Sequence, residues 1–402
     1  MVVETDNFLE LDYSLLVKIL KSCELLITSE VEVYKAADTW LNFDIENRRK
    51  FAKDLLLKVR LPLLSVHTLN HLLSKSSSFT DIDECISIVK TILVANTECF
   101  EETSCTSYSS RYCNQKNFST ILISGYSWHH NQLSKNVNQI NANNFKDVKP
   151  LSSMIEERRY SKGVCLKGEV YVFSGYNDNF KQIKSVEKYS PSTASAWNKV
   201  AYMYDDRENF CVCGFMDKIY VIGGYYDDRL GYATDTCLVL ETNNYGWKDV
   251  AAMKEARGFA ACAVFEESIV VTGGWDNNGN DLNTVEKYDA TIDEWSPMPD
   301  LIEGKRSHSL VVVKNKLYVI GYGTDACEVF ENSCKKFVAI KSPRTGYLYL
   351  NQAISIGSKI VAFQDEESSL FCFDVDKDEW SEEYFEVTKN LGNFSCVKLP
   401  WY

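Results

Sequence analysis

The chain has 402 residues, of which 45% are hydrophobic, 25% are charged and 13% are aromatic. This is the composition of a globular protein with a sizeable core, and the length predicts two domains, one of them large. The net charge is −13 and no cluster of Lys and Arg interleaved with aromatic residues occurs, which argues against binding to nucleic acid or to an anionic membrane.

The cysteines indicate a reducing compartment. The chain has 14 of them but no Cys-x-x-Cys motif, so the usual zinc and redox spacings are absent. The nearest approach is Cys211 and Cys213, which we expect on opposite faces of one strand. The first residues resemble no signal peptide, and no apolar run reaches about 18 residues. We therefore expect a cytoplasmic protein, or one of the nucleus or cytoskeleton, with reduced thiols and without a metal or other cofactor.

Residues 1–95 predict an all-α domain. Ser29 and Glu32 form a capping box at the start of one helix. The residues that follow predict one apolar face of this helix: Val33, Ala36, Ala37 and Trp40. A further helix is predicted to start at Thr80, with aspartates in its first turn. Its apolar stripe comprises Ile82, Cys85, Ile86, Val89 and Leu93.

The pattern changes after this block. Residues 96–117 are polar and rich in Ser and Thr, and they predict a linker. From residue 118 the period is two and a unit repeats, with 50 residues from Gly125 to Gly175 and again from Gly224 to Gly274. Each of these glycines follows a short apolar strand. Four strands in units of about 42 to 50 residues are typical of the blades of a β-propeller.

A large aromatic residue recurs on the outer strand of each unit, at Phe145, Trp197, Trp247, Trp295, Phe337 and Trp380. We expect it to pack against the neighbouring blade, because a single blade is too small to be stable alone. The sixth unit, from Lys359 to Trp380, lacks the glycine pair. The first unit lacks a strand, and the segment from Asn393 to Lys398 is expected to supply it. That pairing would close a six-bladed ring and remove its exposed edges.

These units resemble the kelch repeat, in which a Gly-Gly pair is followed by a Trp about 20 residues later. The first block resembles the BACK domain on Phe8-Leu9-Glu10-Leu11, on Ser29 to Trp40, and on Val59 to Ser65. The resemblance implies an α plus all-β multidomain protein: a helical BACK domain over 1–95, a linker over 96–117, and a six-bladed kelch propeller over 118–402 closed by the C-terminal strand. In the kelch-like family a BTB domain precedes BACK. This chain begins at BACK, so we expect BTB to be absent.

Two repeated positions at one mouth of the propeller channel are candidates for binding a partner. In the family, residues at these positions contact an acidic peptide of a substrate protein, and Arg and aromatic side chains suit that task. Acidic loops at Tyr225–Arg229 and Trp275–Asp281 would equally favour a basic ligand. The candidates are the arginines Arg159, Arg207, Arg257 and Arg306 and the aromatic residues Tyr126, Tyr176, Tyr225, Trp275 and Tyr322.

The resemblance implies a protein-binding adaptor whose propeller recruits a substrate protein for cullin-3-dependent ubiquitination. Two alternatives stay open: an actin-binding, cytoskeletal scaffold, and a decoy paralogue that binds targets without coupling them to a ligase. A kelch-type oxidase would need a copper site, and five histidines are too dispersed for one. His67 and His71 lie one helical turn apart but lack an obvious third ligand. Since no nucleophile elbow or Walker loop occurs either, we expect no enzyme.

Overall fold

The computed structural model describes residues 6–22, 30–61, 69–70, 72–73, 77–98, 118–123, 126–127, 132–141, 144–193, 196–226, 231–321, 327–343, 352–363, 369–384, 391–392 and 395–400. The chain divides into two compact units, a helical one within residues 1–115 and a β one within 116–402. The helices of the first unit whose bounds lie within these ranges are α1 (Asp6–Leu9), α2 (Tyr13–Lys21), α3 (Glu30–Phe43), α4 (Ile45–Arg48), α5 (Ala52–Leu56) and α6 (Asp83–Glu98). None of the helices in these ranges is long and apolar enough to cross a membrane.

Helix α3 supplies the core of the helical unit. The predicted face of Val33, Ala36, Ala37 and Trp40 is confirmed, since all four side chains are buried. The indole N–H of Trp40 donates to the carbonyl of Leu11 at 3.0 Å, so the buried donor is satisfied. Burial of one stripe of a helix is what stabilises so short a chain segment. The predicted cap at Ser29, the segment 62–65 and both His67 and His71 lie outside the described residues.

Helix α6 differs from the prediction at both ends. It begins at Asp83 rather than Thr80, with Asp83 and Glu84 in its first turn. Thr80 instead belongs to a turn, because its hydroxyl accepts the backbone N–H of Ser77 at 2.8 Å. A threonine that hydrogen-bonds local backbone competes with helix in this way. The helix ends at Glu98 and so extends beyond the predicted boundary at residue 95.

The β unit is a β-propeller of antiparallel four-stranded sheets, numbered here in chain order. Sheet 1 comprises β29 (Ser395–Pro400), β1 (Phe118–Ile123), β4 (Val137–Asn141) and β5 (Asn144–Leu151). Sheet 2 comprises β6 (Lys162–Leu166), β7 (Glu169–Phe173), β8 (Ser185–Tyr189) and β9 (Asn198–Tyr202). Sheet 3 comprises β11 (Cys211–Phe215), β12 (Lys218–Ile222), β14 (Cys237–Glu241) and β15 (Gly246–Val250).

The remaining strands continue this order. Sheet 4 comprises β16 (Ala261–Phe265), β17 (Ser268–Thr272), β18 (Val285–Asp289) and β19 (Glu294–Met298). Sheet 5 comprises β20 (Ser309–Val313), β21 (Lys316–Ile320), β22 (Cys327–Glu331) and β23 (Lys336–Ile340). Sheet 6 comprises β24 (Gln352–Ile356), β25 (Lys359–Phe363), β26 (Ser369–Asp374) and β27 (Glu379–Tyr384). Short strands add small sheets: β2 (Tyr126–Ser127), β3 (Gln132–Leu133) and β28 (Leu391–Gly392), and β10 (Arg207–Glu208) with β13 (Tyr225–Tyr226).

The C-terminal strand completes the first sheet. Strand β29 pairs with β1 in a register that runs from Phe118 opposite Pro400 to Ile123 opposite Ser395. The hydroxyl of Ser395 also accepts the backbone N–H of Gly163 in sheet 2 at 2.8 Å. The two ends of the β unit are therefore joined by a strand ladder, in which β1 is paired on both sides, with β29 and with β4.

Outer-strand tryptophans tie sheets 2, 3, 4 and 6 to the sheet that precedes each of them, as the repeat predicts. Each indole N–H donates to a backbone carbonyl at the end of the preceding sheet's outer strand, which adds a directed bond to the apolar contact. In sheet 5 the position is taken by Phe337, which is buried but has no N–H to donate. The pairs are Trp197 with Ser152 at 2.8 Å, Trp247 with Tyr202 at 2.7 Å, Trp295 with Ala251 at 2.8 Å and Trp380 with Lys341 at 2.6 Å.

The glycines that end the second strands have positive φ angles, as predicted. Gly224 has φ +103° and Gly274 has φ +106°. A Cβ at Gly224 would lie 2.5 Å from the carbonyl oxygen of Glu208, and one at Gly274 would lie 2.8 Å from that of Gly258. The positive φ angle and the short distance to the neighbouring carbonyl both exclude a side chain at these positions. The repeat therefore requires glycine where the second strand of a sheet ends, beside the loop that leads into its first strand.

The two cysteines of β11 share one face of the strand. The expectation that Cys211 and Cys213 face opposite sides is wrong, because residues two apart in a strand share a face. Both are buried in one apolar cluster between sheets 3 and 4.

Candidate functional site

One basic side chain in each of sheets 2 to 5 is buried beside these glycines. In sheet 4 the guanidinium of Arg257 donates to the carbonyls of Gly273 at 2.7 Å and Thr284 at 3.1 Å. In sheet 3 Arg207 makes the equivalent bonds to Gly223 at 3.2 Å and Thr236 at 3.0 Å. In sheet 2 the guanidinium of Arg158 donates to the carbonyls of Ser174 at 2.9 Å and Ser185 at 3.0 Å. In sheet 5 the buried base is Lys305. The four positions are therefore equivalent.

This alignment corrects the predicted arginine set. The predicted candidates Arg207 and Arg257 are each 1% exposed, so a partner cannot reach their side chains. The predicted Arg159 and Arg306 are not their equivalents, because each lies one residue after the buried base. The sequence pattern misplaced them for two reasons: Arg158 and Arg159 are adjacent, and a lysine takes the buried position in sheet 5.

Buried carboxylates compensate the charge of three of the four bases. Arg158 contacts Glu187 at 2.6 Å, Arg257 contacts Glu286 at 2.9 Å and Lys305 contacts Glu328 at 3.1 Å. Burial lowers the pKa of Arg158, and the neighbouring Glu187 carboxylate opposes that shift. The Nη1 groups of Arg158 and Arg257 also donate to strand-end carbonyls, whereas the Nε of each is buried without a hydrogen-bond partner. These bases therefore hold the repeat together.

The residues that directly follow the bases meet the predicted aromatic residues of the preceding sheet; Glu208 and Arg306 are partly exposed, whereas Gly258 is buried. The hydroxyl of Tyr176 donates to Glu208 at 2.5 Å. The ring of Tyr225 covers Gly258, where a Cβ would lie 1.9 Å from the ring. Trp275 lies beneath Arg306, whose guanidinium carbon is 4.5 Å from the ring centroid. These contacts run in the same direction from sheet to sheet, and we call the set Tyr176, Glu208, Tyr225, Gly258, Trp275 and Arg306 the rim cluster.

Tyr225 is the best-buried aromatic residue of the rim cluster. Its hydroxyl donates to the carbonyl of Trp275 at 2.8 Å, and its ring meets that of Trp275 edge-on at 6.3 Å. Phe259 packs against both, with a centroid distance of 5.7 Å to Tyr225. Burial raises the pKa of Tyr225 to about 12, so the hydroxyl stays protonated at neutral pH. This cluster presents a preformed surface.

Two arginines remain partly exposed on aromatic rings. The guanidinium of Arg159 lies 3.7 Å above the ring of Phe180, which is 72% exposed. Arg306 covers Trp275, and its Nε lies 3.4 Å from Asp281. Stacking on a ring leaves the edge of a guanidinium for planar polar groups. In Arg159 the Nε and Nη2 atoms are buried, and in Arg306 the Nε already faces Asp281, so only the rest of each edge is left for a partner. Sequence reasoning missed Phe180; an aromatic residue within the polar loop between β7 and β8 was the available signal.

Other predicted residues contribute less to this surface. Tyr126 lies in β2 and pairs with Gly392 and Leu133, but its side chain is outside the described residues, as is all of Tyr322. In the acidic loop of sheet 4, the carboxylate of Asp276 accepts the backbone N–H groups of Asn278 and Asn280, both at 2.8 Å. Hydrogen bonds led by that of the Asn280 backbone lower the pKa of Asp276. This carboxylate therefore shapes its own loop.

No group of three or more His, Cys, Asp and Glu side chains that could hold a metal ion occurs within the described ranges. The surface just described consists of aromatic rings, two partly exposed guanidinium groups and hydrogen-bonded carboxylates. Such a set can bind a polypeptide through stacking and charge-assisted hydrogen bonds.

Comparison with known proteins gives two family matches. Residues 112–331 match the KLHDC2/KLHL20/DRC7 Kelch-repeats domain. Residues 1–74 match the BACK domain, described as BTB And C-terminal Kelch. The first match covers most of the propeller, and the second covers the helical unit as far as residue 74, which leaves helix α6 outside both.

Several curated proteins are similar to this chain. Kelch-like protein 7 of Homo sapiens is 26% identical over 321 residues, which is 80% of this chain and 53% of that protein. An F-box/kelch-repeat protein of Arabidopsis thaliana is 35% identical over 220 residues, covering 51% of this chain and 53% of that protein. Alpha-scruin of Limulus polyphemus is 32% identical over 160 residues, 38% of this chain and 17% of that protein. The chain spans about half the length of Kelch-like protein 7.

Proposed function

This chain belongs to the kelch-repeat family, and we propose that it is a protein-binding adaptor whose propeller binds a segment of a partner protein at the rim cluster, together with Arg159 and Phe180. The observation that carries this proposal is the pair of partly exposed arginines stacked on aromatic rings, Arg159 on Phe180 and Arg306 on Trp275. Arg and large aromatic residues are the side chains most enriched among binding hot spots.

The test reverses the charge of the two stacked arginines. We expect Arg159→Glu with Arg306→Glu to abolish capture of a partner that wild-type protein retains, with an unchanged melting temperature. Lys248→Glu is the matched control, because Lys248 is 63% exposed on β15 and forms its ion pair with Glu241 of the same sheet. Undiminished capture by the double variant would refute the site. Arg207 and Arg257 are unsuitable for this test, since substitution there would disturb the fold.

We propose further that the bound protein is delivered to a cullin-3 ubiquitin ligase. The BACK match over residues 1–74 and the similarity to Kelch-like protein 7 support this step. The experiment is co-purification of the chain with cullin-3, with filamentous actin as the parallel probe. Retention of cullin-3 supports the ligase adaptor. Sedimentation with actin filaments would favour the scaffold, and binding of neither, with partner capture intact, would favour the decoy.

For the propeller itself we propose a closed ring of six blades. The innermost strands contact one another in succession from β6 through β11, β16, β20 and β24 to β29, and β29 also contacts β6. Strand β29 would then act as the closing element. Deletion of residues 391–402 should replace one cooperative unfolding transition by a broad one, because β1 loses one of its two partner strands and the contact of β29 with β6 is lost. An unchanged transition in circular dichroism would contradict closure by this strand.

A further inference from the structure

Backbone hydrogen bonds close the boundary between neighbouring sheets beside the buried bases, and we call this boundary a seam. The second residue after each base has a positive φ angle, and in sheets 4 and 5 its N–H donates to the equivalent carbonyl of the preceding sheet. Phe259 donates to Asn209 at 2.9 Å, and Ser307 donates to Phe259 at 2.8 Å. At both seams the N–H of the base and the N–H of a strand-end glycine make two further bonds. They join Arg257 to Thr234 at 3.3 Å and Gly224 to Arg257 at 2.9 Å, and Lys305 to Leu282 at 3.0 Å and Gly274 to Lys305 at 2.7 Å.

The seam between sheets 2 and 3 differs from these two. Within the described residues none of the three equivalent bonds occurs, neither from the N–H of Asn209 to Tyr160, nor from that of Arg207 to Ile183, nor from that of Gly175 to Arg207. Farther from the channel, the outer-strand tryptophan of sheet 3 still ties it to sheet 2. The difference is therefore confined to the part of the seam beside the buried base.

A glutamine side chain crosses this seam where the backbone bonds are missing. Gln182 pairs with Tyr176 in sheet 2, and its equivalents in sheets 3 and 4 are the shorter Ala233 and Asp281. The Nε2 of Gln182 donates to the carbonyl of Arg207 at 2.9 Å. In the closed seams that carbonyl of the base accepts a glycine N–H instead. Gln182 therefore acts as a spacer that holds the two backbones apart.

The seam has donors on one wall and acceptors on the other. The N–H groups of Arg207 and Asn209 face sheet 2, since their equivalents in sheet 4 donate in that direction. Sheet 2 contributes the carbonyls of Tyr160 and Ile183, and Oε1 of Gln182 is buried without a hydrogen-bond partner among the described residues. A buried acceptor without a donor costs free energy. A neutral peptide group, with one donor and one acceptor, fits between such walls, whereas an anion would be repelled by the acceptors.

Exposed aromatic residues flank the seam on the side of sheet 2. Tyr160 is 49% exposed and Phe180 is 72% exposed. Both have positive φ angles, +58° and +54°, which a bulky residue adopts only at a cost in free energy. In sites that bind an extended peptide, main-chain hydrogen bonds provide affinity and neighbouring surfaces receive the side chains. The seam and these two rings together have that composition.

We propose that the seam between sheets 2 and 3 is a subsite for the main chain of the partner, an inference that rests on the function proposed above. One peptide group of an extended segment enters the seam, donates its N–H to the carbonyl of Tyr160 and accepts the N–H of Asn209. A neighbouring N–H of the segment donates to Oε1 of Gln182, and an adjacent side chain lies on Phe180. The seam then fixes the register of the segment, and the rim cluster reads its side chains.

The first experiment examines the free protein. Hydrogen–deuterium exchange of the full chain, resolved by NMR, compares the equivalent amides of Asn209, Phe259 and Ser307, all three of which are partly exposed residues. We expect the amide of Asn209 to exchange at least about tenfold faster than the other two, after correction for the rates of the unfolded chain, because it lacks the bond to the preceding sheet. Equal exchange would overturn the proposal, since the seam would then be closed.

Two substitutions of Gln182 test its role as the spacer. Gln182→Ala introduces the residue that sheet 3 has at this position, and we expect the amide of Asn209 to become as well protected as that of Phe259. Gln182→Met is the matched control, because it keeps the length of the side chain without its amide, and the amide of Asn209 should exchange as in wild type. Circular dichroism verifies folding. Protection in both variants, or in neither, would overturn the assignment of the spacer.

The second experiment uses a peptide selected on the full chain from a phage-displayed library of random dodecapeptides. The peptide is resynthesised with each backbone amide replaced in turn by an ester, which removes one N–H. We expect one ester to weaken binding by about tenfold, and the parent peptide to protect the amide of Asn209.

The outcomes separate the seam from the rim. A peptide that loses affinity with Arg159→Glu and Arg306→Glu but leaves the amide of Asn209 unprotected would overturn the seam and leave the proposed rim site in place. A peptide that protects Asn209 and still binds the double arginine variant would support the seam and refute the stacked arginines.

Discussion

Sheets 3 and 4 bury an arginine at the same point of the repeat but compensate its charge differently. In sheet 4 Arg257 contacts Glu286 at 2.9 Å and Glu255 at 3.2 Å, and Glu286 is itself only 5% exposed. In sheet 3 Leu238 takes the place of Glu286, and Arg207 pairs with the carboxylate of Asp205 at 2.5 Å. The arginine is therefore common to both sheets, and the buried carboxylate is not.

The buried carboxylate has a second role that explains the difference. Glu286 accepts the backbone N–H groups of Lys254 at 2.7 Å and Glu255 at 3.2 Å, in the loop that leads into β16. In sheet 3 the ring of Tyr226, 5.5 Å from the guanidinium, contributes instead. The threonine hydroxyl is common to both sheets, since Arg207 donates to Thr236 and Arg257 to Thr284, each at 3.0 Å. The comparison teaches that the arginine binds the strand-end carbonyls, whereas the carboxylate anchors the loop between blades.

The largest expected loss of stability comes from breaking the ion pair between Arg257 and Glu286 in sheet 4. Arg257→Met leaves Glu286 buried without its cation, and loss of one partner of a buried pair costs about 3–5 kcal/mol of unfolding free energy. Urea denaturation followed by circular dichroism measures the change. A loss below about 1 kcal/mol would mean that Glu286 is compensated by the loop N–H groups alone.

The same substitution in sheet 3 is expected to cost less. Arg207→Met leaves Asp205, which is 20% exposed and can be hydrated after the change. The variant then loses mainly the hydrogen bonds to the carbonyls. We expect its unfolding free energy to fall by about 2–3 kcal/mol in the same urea experiment. If Arg207→Met destabilised the chain as much as Arg257→Met, the buried carboxylate would not be the source of the difference.

A buried histidine beside sheet 4 makes the free energy of unfolding depend on pH. His308 hydrogen-bonds the hydroxyl of Thr272 at 2.7 Å, and burial lowers its pKa to about 3. Between that value and the usual value near 6.5, the unfolded chain binds a proton that the folded chain does not. Stability should therefore fall with falling pH below about 6.5, by up to about 1.4 kcal/mol per pH unit. His308→Asn should remove this component; identical pH profiles of the two proteins would contradict it.

The smallest expected loss of stability comes from the outer-strand tryptophans, and it should be equal in sheets 3 and 4. Trp247→Phe and Trp295→Phe each remove an indole N–H that donates to the preceding sheet, at 2.7 Å and 2.8 Å. We expect a loss of about 1 kcal/mol for each. Phe337 shows that the ring is accommodated at this position in sheet 5. Unequal losses, measured by thermal unfolding, would show that sheets 3 and 4 also differ at their outer strands.

The sequence pattern located the strands of the propeller but misplaced part of the site. Repeats of about 50 residues and positive-φ glycines such as Gly224 depend on local backbone geometry, which recurs visibly along the chain. Arg158 and Arg159, in contrast, are neighbours in one loop, and no local pattern shows which of them turns inward. Phe180 was missed for the same reason, since a single aromatic residue in a polar loop has no period.

By itself the sequence determined the fold class, the repeat and the residue types around the channel, because alternating polarity and required glycines are local properties. Only the tertiary structure decided which of those residues are buried. Arg207 and Arg257 point inward because strand-end carbonyls of their own sheets bind them, whereas Arg306 stays partly exposed on Trp275 of the preceding sheet. The fate of each side chain depends on groups tens of residues away, and that information exists only once the blades have packed.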